Sequence, residues 1–270
     1  MSKYRYLSLA ALLTIAVPFP CFAVNHVSFF RLSPTRENLY ISDANGSHEH
    51  PLTEGETLNY DPSWSPKGDW IAFTSERAGP AELYRIRPDG SGLERLTRDP
   101  AYDDQAAFSP DEKQLVFVST RGTGRANIWT LNLATHKARR LTRNKDGGDF
   151  RPSWSPDGQW IAFSSDRGSS LPFAKGRWER LQLADIYLIH PDGSGLERIT
   201  RHGGFCDSPK WSPDGRWIVF TSSRLGFRDE ALIVGNPQPY GEIFVMRYDG
   251  THVERLTDDQ WEEGVPSCRP

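Results

Sequence analysis

Residues 151–167 read RPSWSPDGQWIAFSSDR, and the same phrase stands at 62–77 as PSWSPKGDWIAFTSER and at 208–224 as SPKWSPDGRWIVFTSSR. A looser copy, QAAFSPDEKQLVFVSTR, occupies 105–121. After each copy comes a second phrase: LYRIRPDGSGLERLT ends at Thr97, IWTLNLATHKARRLT at Thr142, IYLIHPDGSGLERIT at Thr200 and IFVMRYDGTHVERLT at Thr257. An earlier LYISDANGSHEHPLT ends at Thr53. The landmark aromatics Trp64, Phe108, Trp154 and Trp211 are 44, 46 and 57 residues apart, and periods of this size belong to propellers and other arrays.

Inside one unit the residue types select strands. Ile71-Ala72-Phe73-Thr74 and Trp217-Ile218-Val219-Phe220 are short β-branched and aromatic runs bounded by turn residues. Ser-Pro-Asp-Gly at 155–158 and 212–215 joins two strands, because proline presets φ, Asp bonds its own backbone and glycine supplies a positive φ. The Asp-Gly pairs at 89, 192 and 249, with Asn45-Gly46, make a second hairpin before the final strand. Each unit is therefore a four-stranded antiparallel meander. Such a meander has two apolar faces and is stable only when stacked on its neighbours, so the fold class is an all-β propeller.

Five closing phrases but four full opening ones predict how the ring closes. The stretch 265–268 (VPSC) reads as a first strand with nothing after it, while 26–40 aligns without a gap to 70–84 and so begins at a second strand. The C-terminal strand is expected to complete the N-terminal blade, giving five blades; six is the alternative if a further unit or a partner enters the ring. Ahead of the repeats, MSKYRY, the apolar run Leu7 to Val17, and Cys21 and Ala23 form a secretory signal. Residues 1–23 are expected to be cleaved, leaving 24–270 as one domain outside the cytoplasm, periplasmic or secreted. Cleavage takes the Lys+Arg to Asp+Glu balance from 32 against 35 to 30 against 35, which disfavours nucleic-acid binding. No second apolar stretch has membrane length. Cys206 and Cys268 remain, as two thiols or one disulfide.

The pattern PxWSPDGxxIxFxSxR followed by IYxxxxDGxxxxRLT resembles the WD40-like (PD40) repeat of the TolB family, over essentially all of residues 26–268. The resemblance implies a periplasmic propeller that binds a protein of the cell envelope, as the family's propeller binds the peptidoglycan-associated lipoprotein. Family members carry an α/β domain and six blades, whereas the units legible here number five.

Candidate binding residues sort by face. The loops entering the first strands are expected to carry Asp61, Asp103 and Asp104, Asp149, Asp207, and Glu262 with Glu263. Carboxylates about 10 Å apart repel by roughly 0.8 kcal/mol at an intermediate dielectric, so an acidic channel mouth suits a basic partner group or a cation; no other cofactor is expected. Each Asp equally suits a turn cap. Arg77, Arg121, Arg167 and Arg224 end the second strands and suit either anion binding or internal pairing with those acids. Two unrepeated inserts, 168–184 and 225–241, add Phe173, Trp178, Arg180, Phe227, Arg228 and Tyr240 on the same face, and aromatic and Arg side chains are the types enriched at binding hot spots. The seven histidines show no metalloprotease spacing, and there is no Gly-x-Ser-x-Gly elbow or phosphate loop. A protein-binding scaffold is the first expectation, and a carbohydrate-active or metal-assisted enzyme at the acidic mouth the second.

Overall fold

The computed structural model describes residues 26–33, 36–168, 184–201, 205–223 and 241–257. They form five antiparallel sheets. The first holds β1 (His26–Ser33), β2 (Arg36–Asp43) and β3 (His50–Pro51); the second β4 (Asn59–Trp64), β5 (Ile71–Ser75), β6 (Glu82–Ile86) and β7 (Glu94–Arg95). The third holds β8 (Asp103–Phe108), β9 (Gln114–Ser119), β10 (Asn127–Asn132) and β11 (Ala138–Arg140). The fourth is β12 (Asp149–Trp154), β13 (Ile161–Ser165), β14 (Asp185–Ile189) and β15 (Glu197–Arg198), and the fifth β16 (Cys206–Trp211), β17 (Trp217–Ser222), β18 (Glu242–Arg247) and β19 (Glu254–Arg255). This is a five-bladed propeller, as the repeat predicts. The strand expected to complete the first blade, 265–268, lies outside the described residues. Among those described, no helix is long and apolar enough to cross a membrane.

The turns follow the residue chemistry. In the Ser-Pro-Asp-Gly hairpins the serine hydroxyl donates to the aspartate two places on, at 2.6 Å for Ser212–Asp214, and accepts the N–H five places on, at 3.0 Å from Trp217. Gly158 and Gly215 take φ of 71° and 69°. In the looser third copy Glu112 is held at φ 56° in the glycine's place, at the steric cost a Cβ carries there.

Neighbouring blades are joined by apolar clusters. Phe73, Phe117, Phe163 and Phe220 hold the same place in four second strands and are fully buried. Leu96 of the second blade packs with Ala106, Phe108, Leu115 and Phe117 of the third, and Ile186 and Leu188 of the fourth with Trp211, Ile218 and Phe220 of the fifth. The first strands touch in chain order, β4 with β8, β8 with β12 and β12 with β16, and so line the axis. Pro62, Pro152 and Pro209 sit in these strands, where the inner edge has no strand to pair with and a residue without an N–H leaves no orphan donor.

The outer strands are held differently. The closing Thr of every unit accepts an N–H of the strand beside it: Thr53 from Leu39 of β2 and, at the second residue of the third strand, Thr97 from Leu83, Thr142 from Ile128, Thr200 from Ile186 and Thr257 from Ile243, at 2.9–3.0 Å. Its hydroxyl donates to the residue just before, at 2.7 Å for Thr200–Asp185 and 2.6 Å for Thr257–Glu242. The Arg two places ahead binds the same carboxylate in Arg95–Glu82 and Arg198–Asp185. The repeated Arg-Leu-Thr and Arg-Ile-Thr thus fasten two-residue strands that have few ladder bonds of their own. Thr200→Val leaves the Ile186 N–H without an acceptor, and denaturant unfolding should show a loss of about 1–3 kcal/mol. Thr251→Val, in an exposed turn, should change stability by less than about 0.5 kcal/mol.

Candidate binding site at the axis

Each of the four described first strands carries a bulge at the same place, between Tyr60 and Ser63, Asp104 and Ala107, Phe150 and Ser153, and Asp207 and Lys210. The third residue of the strand is the one that bends. Asp61, Gln105, Arg151 and Ser208 take φ of 49°, 56°, 49° and 54°. Non-glycine residues rarely enter this region, and bulges re-aim side chains. Asp61, Gln105 and Arg151 meet the next first strand, whereas the Ser208 hydroxyl donates to Asp207 of its own strand.

The acids read from the sequence therefore lie inside the strands and not in the loops before them, and they occupy three different registers. Asp103 and Asp149 stand first, Asp104 and Asp207 second, and Asp61 third. The first register is internal. Fully buried Asp149 receives Arg167 Nη2 on both oxygens at 2.8 Å and the Ser165 hydroxyl at 2.6 Å. Asp103 pairs with Arg121, and burial pushes its carboxyl up. In the second blade Asn59 takes the acid's place and receives Arg77 Nη2 at 2.7 Å. The same arginines lie over aromatic rings: Arg77 is 4.9 Å from the Tyr84 centroid and Arg167 4.9 Å from that of Tyr187. Arg121 and Arg167 thus pair with acids of their own blades, and Arg77 with the Asn59 amide and the Ser75 hydroxyl. In the fifth blade Cys206 fills this register, buried, with its sulfur 3.4 Å from Ser222 Oγ.

The second and third registers make the wall around the axis. Asp61 of the second blade meets Asp104 of the third, carboxyl to carboxyl. Asp104 also accepts the Thr74 hydroxyl at 2.7 Å and the Gln105 N–H at 2.6 Å. Burial first, and then the Asp61 charge, push the Asp104 carboxyl up to about 7. Tyr60 and Glu37 join this group: burial and the surrounding carboxylates raise both, and the Tyr60 hydroxyl donates to Glu76 at 3.3 Å. Farther round, Gln105 accepts the Arg151 N–H at 2.7 Å, and Arg151 Nε stands 2.8 Å from Asp207. The axis is thus an acidic arc over the first three blades and an internally neutralised pair over the last two. A carboxyl pair that shares a proton offers a donor and an acceptor at once.

Glu263, Arg224, Phe173, Trp178, Arg180, Phe227, Arg228 and Tyr240 lie outside the described residues. Among the described residues, Asp149, Ser165 and Asp185 stand side by side at one end of the fourth blade. Sequence reasoning missed Tyr60, Gln105, Arg151, Glu37 and Glu76. Counting back three from Trp64, Phe108, Trp154 and Trp211 would have found Asp61, Gln105, Arg151 and Ser208 as one column. Among the described residues, no group of three or more His, Cys, Asp or Glu side chains is placed to hold a metal ion.

Two variants separate the registers. Arg167→Ala leaves the buried Asp149 carboxylate without its counter-charge and should cost about 3–5 kcal/mol in denaturant unfolding, with much of the loss recovered when Asp149→Asn is added. Asp104→Asn should act in the opposite direction. The folded Asp104 keeps its proton up to about 7, whereas an unfolded Asp loses it near 4. The folded state binds the extra proton between those values, so wild-type stability declines as pH rises through that window. Asp104→Asn should flatten the decline, and its Tm advantage over wild type should be larger at about pH 8 than at about pH 5.

The profile described as the TolB beta propeller domain matches residues 24–123 and 104–172, together more than half of the chain. The "Protein TolB homolog" of Chlorobium luteolum is 33% identical over 160 residues, 59% of this chain and 33% of that protein. The "Uncharacterized peptidase YuxL" of Bacillus subtilis is 28% identical over 196 residues, 72% of this chain and 26% of that one. The chain spans about a third or less of the length of these two relatives. The crystal structure of TolB from Acinetobacter baumannii superposes with a TM-score of 0.70 at 21% identity, over 89% of this chain and 55% of that one, and so shares the fold. Repeat, blade architecture and profile match agree: the chain belongs to the TolB β-propeller family.

Proposed function

We propose that the chain is exported, processed between Ala23 and Val24, and works in the periplasm as a protein-binding scaffold of the cell envelope. Its partner presents a Lys- or Arg-bearing segment to the axis. The observation that carries this reading is the acidic arc of Glu37, Tyr60, Asp61, Glu76 and Asp104. Burial and the neighbouring carboxylates raise Glu37, Tyr60 and Asp104, and no described Lys or Arg pairs with this group, whereas Arg151 does so for Asp207 on the other side. A partner cation entering this arc relieves repulsion that already exists, and attraction of that kind speeds encounter and selects for charge. The inserts 168–184 and 225–241 carry Phe173, Trp178, Phe227 and Tyr240, side chains of the kind suited to anchoring such a partner.

The scaffold reading is tested by capturing partners from envelope extract with the exported protein and identifying them by mass spectrometry. The double variant Asp61→Asn with Asp104→Asn should fold with a Tm no lower than that of wild type and lose the captured protein. Trp178→Ala with Tyr240→Ala should weaken capture. Arg216→Ala, exposed in a turn on the opposite face, should retain it, and binding should fall as salt rises. Equal capture by the acidic-arc variant and wild type would overturn the assignment of the site.

A further inference from the structure

The turn that joins β2 to β3 holds the one Asn-Gly pair in the sequence, Asn45-Gly46. Both residues are exposed at its tip. Gly46 takes φ 81°, and open space lies where a Cβ would stand, so no side chain shields its nitrogen. Asn45 Oδ1 accepts the Ser47 N–H at 3.0 Å and the Ser47 hydroxyl at 2.7 Å. Two donors on one carboxamide oxygen draw electrons from Asn45 Cγ and stabilise negative charge that arrives on Oδ1. The main-chain nitrogen next in line, Gly46 N, is the nucleophile that can attack this carbon, because the attack closes a succinimide ring.

The other described asparagines lack this combination. Asn38, Asn59, Asn127 and Asn144 are buried, and none precedes a glycine. Asn132 is exposed, but Leu133 after it is buried and its N–H is held by Lys113 O at 2.9 Å. The equivalent turns of the second, fourth and fifth blades carry the acid itself: Asp89, Asp192 and Asp249 accept the N–H of Ser91, Ser194 and Thr251 at 2.8–3.0 Å. A carboxylate therefore fits the place sterically. The residue two places before is what differs. In those three turns the Ser or Thr bonds, and then the charge of Arg87, His190 or Arg247, hold the carboxyl below its usual range. Here Asp43 stands in the cation's place, 2.9 Å from the same Ser47 hydroxyl, and the amide of Asn45 is neutral beside it.

We propose that Asn45 is a site of spontaneous deamidation, where the amide is converted to a carboxylate beside Asp43. Gly46 N gives its proton to solvent base and bonds to Asn45 Cγ; the Cγ–Nδ2 bond breaks, and ammonia leaves with a proton from solvent. Water then adds to the succinimide at Cγ and reopens it to aspartate, or adds at the Asn45 main-chain carbonyl carbon and reopens it to isoaspartate. Nothing is oxidised or reduced, and no enzyme takes part. The Gly46 N–H is held by Asp43 O at 2.9 Å, so attack waits for the tip to open, as exposed turns do at little cost. Conversion to aspartate adds a negative charge and leaves two carboxylates sharing the single Ser47 hydroxyl proton, with His48 Nδ1 2.6 Å from Asp43 Oδ2 beside them.

The test incubates the folded protein and a denatured sample side by side at mildly alkaline pH, where the attacking nitrogen loses its proton more readily. Ion exchange, ammonia release and peptide mapping that separates aspartate from isoaspartate follow the change. The expected result in the folded protein is a more acidic species whose altered residue maps to Asn45 before any other asparagine. Asn45→Asp should co-elute with its aspartate form. Asn45→Gln, whose longer side chain would have to close a larger ring, should yield no such species over the same time. An Asn45 amide that survives in the folded protein while the denatured chain loses it would overturn the inference, because the turn would then protect the residue. An acidic species that forms equally fast in Asn45→Gln would overturn it as well, by placing the reaction elsewhere.

Discussion

One blade of this protein cannot bury its own two faces, and everything else in the structure is arranged around that constraint. The second strands are apolar along their length: Ile71, Ala72 and Phe73, or Ile161, Ala162 and Phe163, are completely buried. Burying a Phe side chain is worth roughly 1.5–3 kcal/mol, and only an adjoining sheet of the same width covers both sides at once. Stacking on a copy of itself meets that need repeatedly, which is why the same apolar column recurs at every period. It also fixes the register, since a slip of one residue in any blade would turn Phe163 away from its cluster.

With the faces occupied by stacking, the edges become the remaining problem, and the sequence treats the two edges differently. Outside, the closing strands are only two or three residues long, so side-chain bonds replace the missing ladder. A Thr hydroxyl satisfies one backbone donor, and an Arg ties the strand to a buried acid or amide. Inside, no further strand exists to pair with, and proline withdraws the donor that would otherwise be stranded. The repeated arginines after the second strands belong to the same economy of polar atoms: Arg167 satisfies Asp149, which could not remain ionised at full burial without it.

Much of this was legible in the residues. The blade number, the hairpin turns and the order of strands follow from the spacing of Trp64, Phe108, Trp154 and Trp211, because hydrophobic periodicity and turn chemistry act locally. The distinction among the acids was not legible. Asp149 and Asp207 both precede a Pro and a Trp, yet one is a fully buried structural group and the other a partner of Arg151 at the axis. They differ by one place in register, and alternate residues of a strand point to opposite faces. The bulge then reverses that alternation partway along the strand. A pattern of acids alone carries no record of it, whereas the column of Asp61, Gln105, Arg151 and Ser208 becomes visible once the backbone bend is known.

The bulge also explains how a repeated scaffold acquires an unrepeated site. Its backbone is the same in every described first strand, so the scaffold presents one position per blade to the axis and leaves the identity of that residue open. Asp, Gln, Arg and Ser fill it in turn. Where Arg151 occupies it, the following blade supplies Asp207 and the charges cancel locally. Where Asp61 occupies it, the following blade supplies another carboxyl, and the repulsion is relieved only by a proton or by a cation from outside. Coulomb attraction in salt fades beyond about 8 Å, so a partner charge must come close to Asp61 and Asp104 to feel it. The asymmetry of two adjacent residues therefore gives a ring of near-identical blades a single side on which carboxyls meet without a neutralising partner among the described residues.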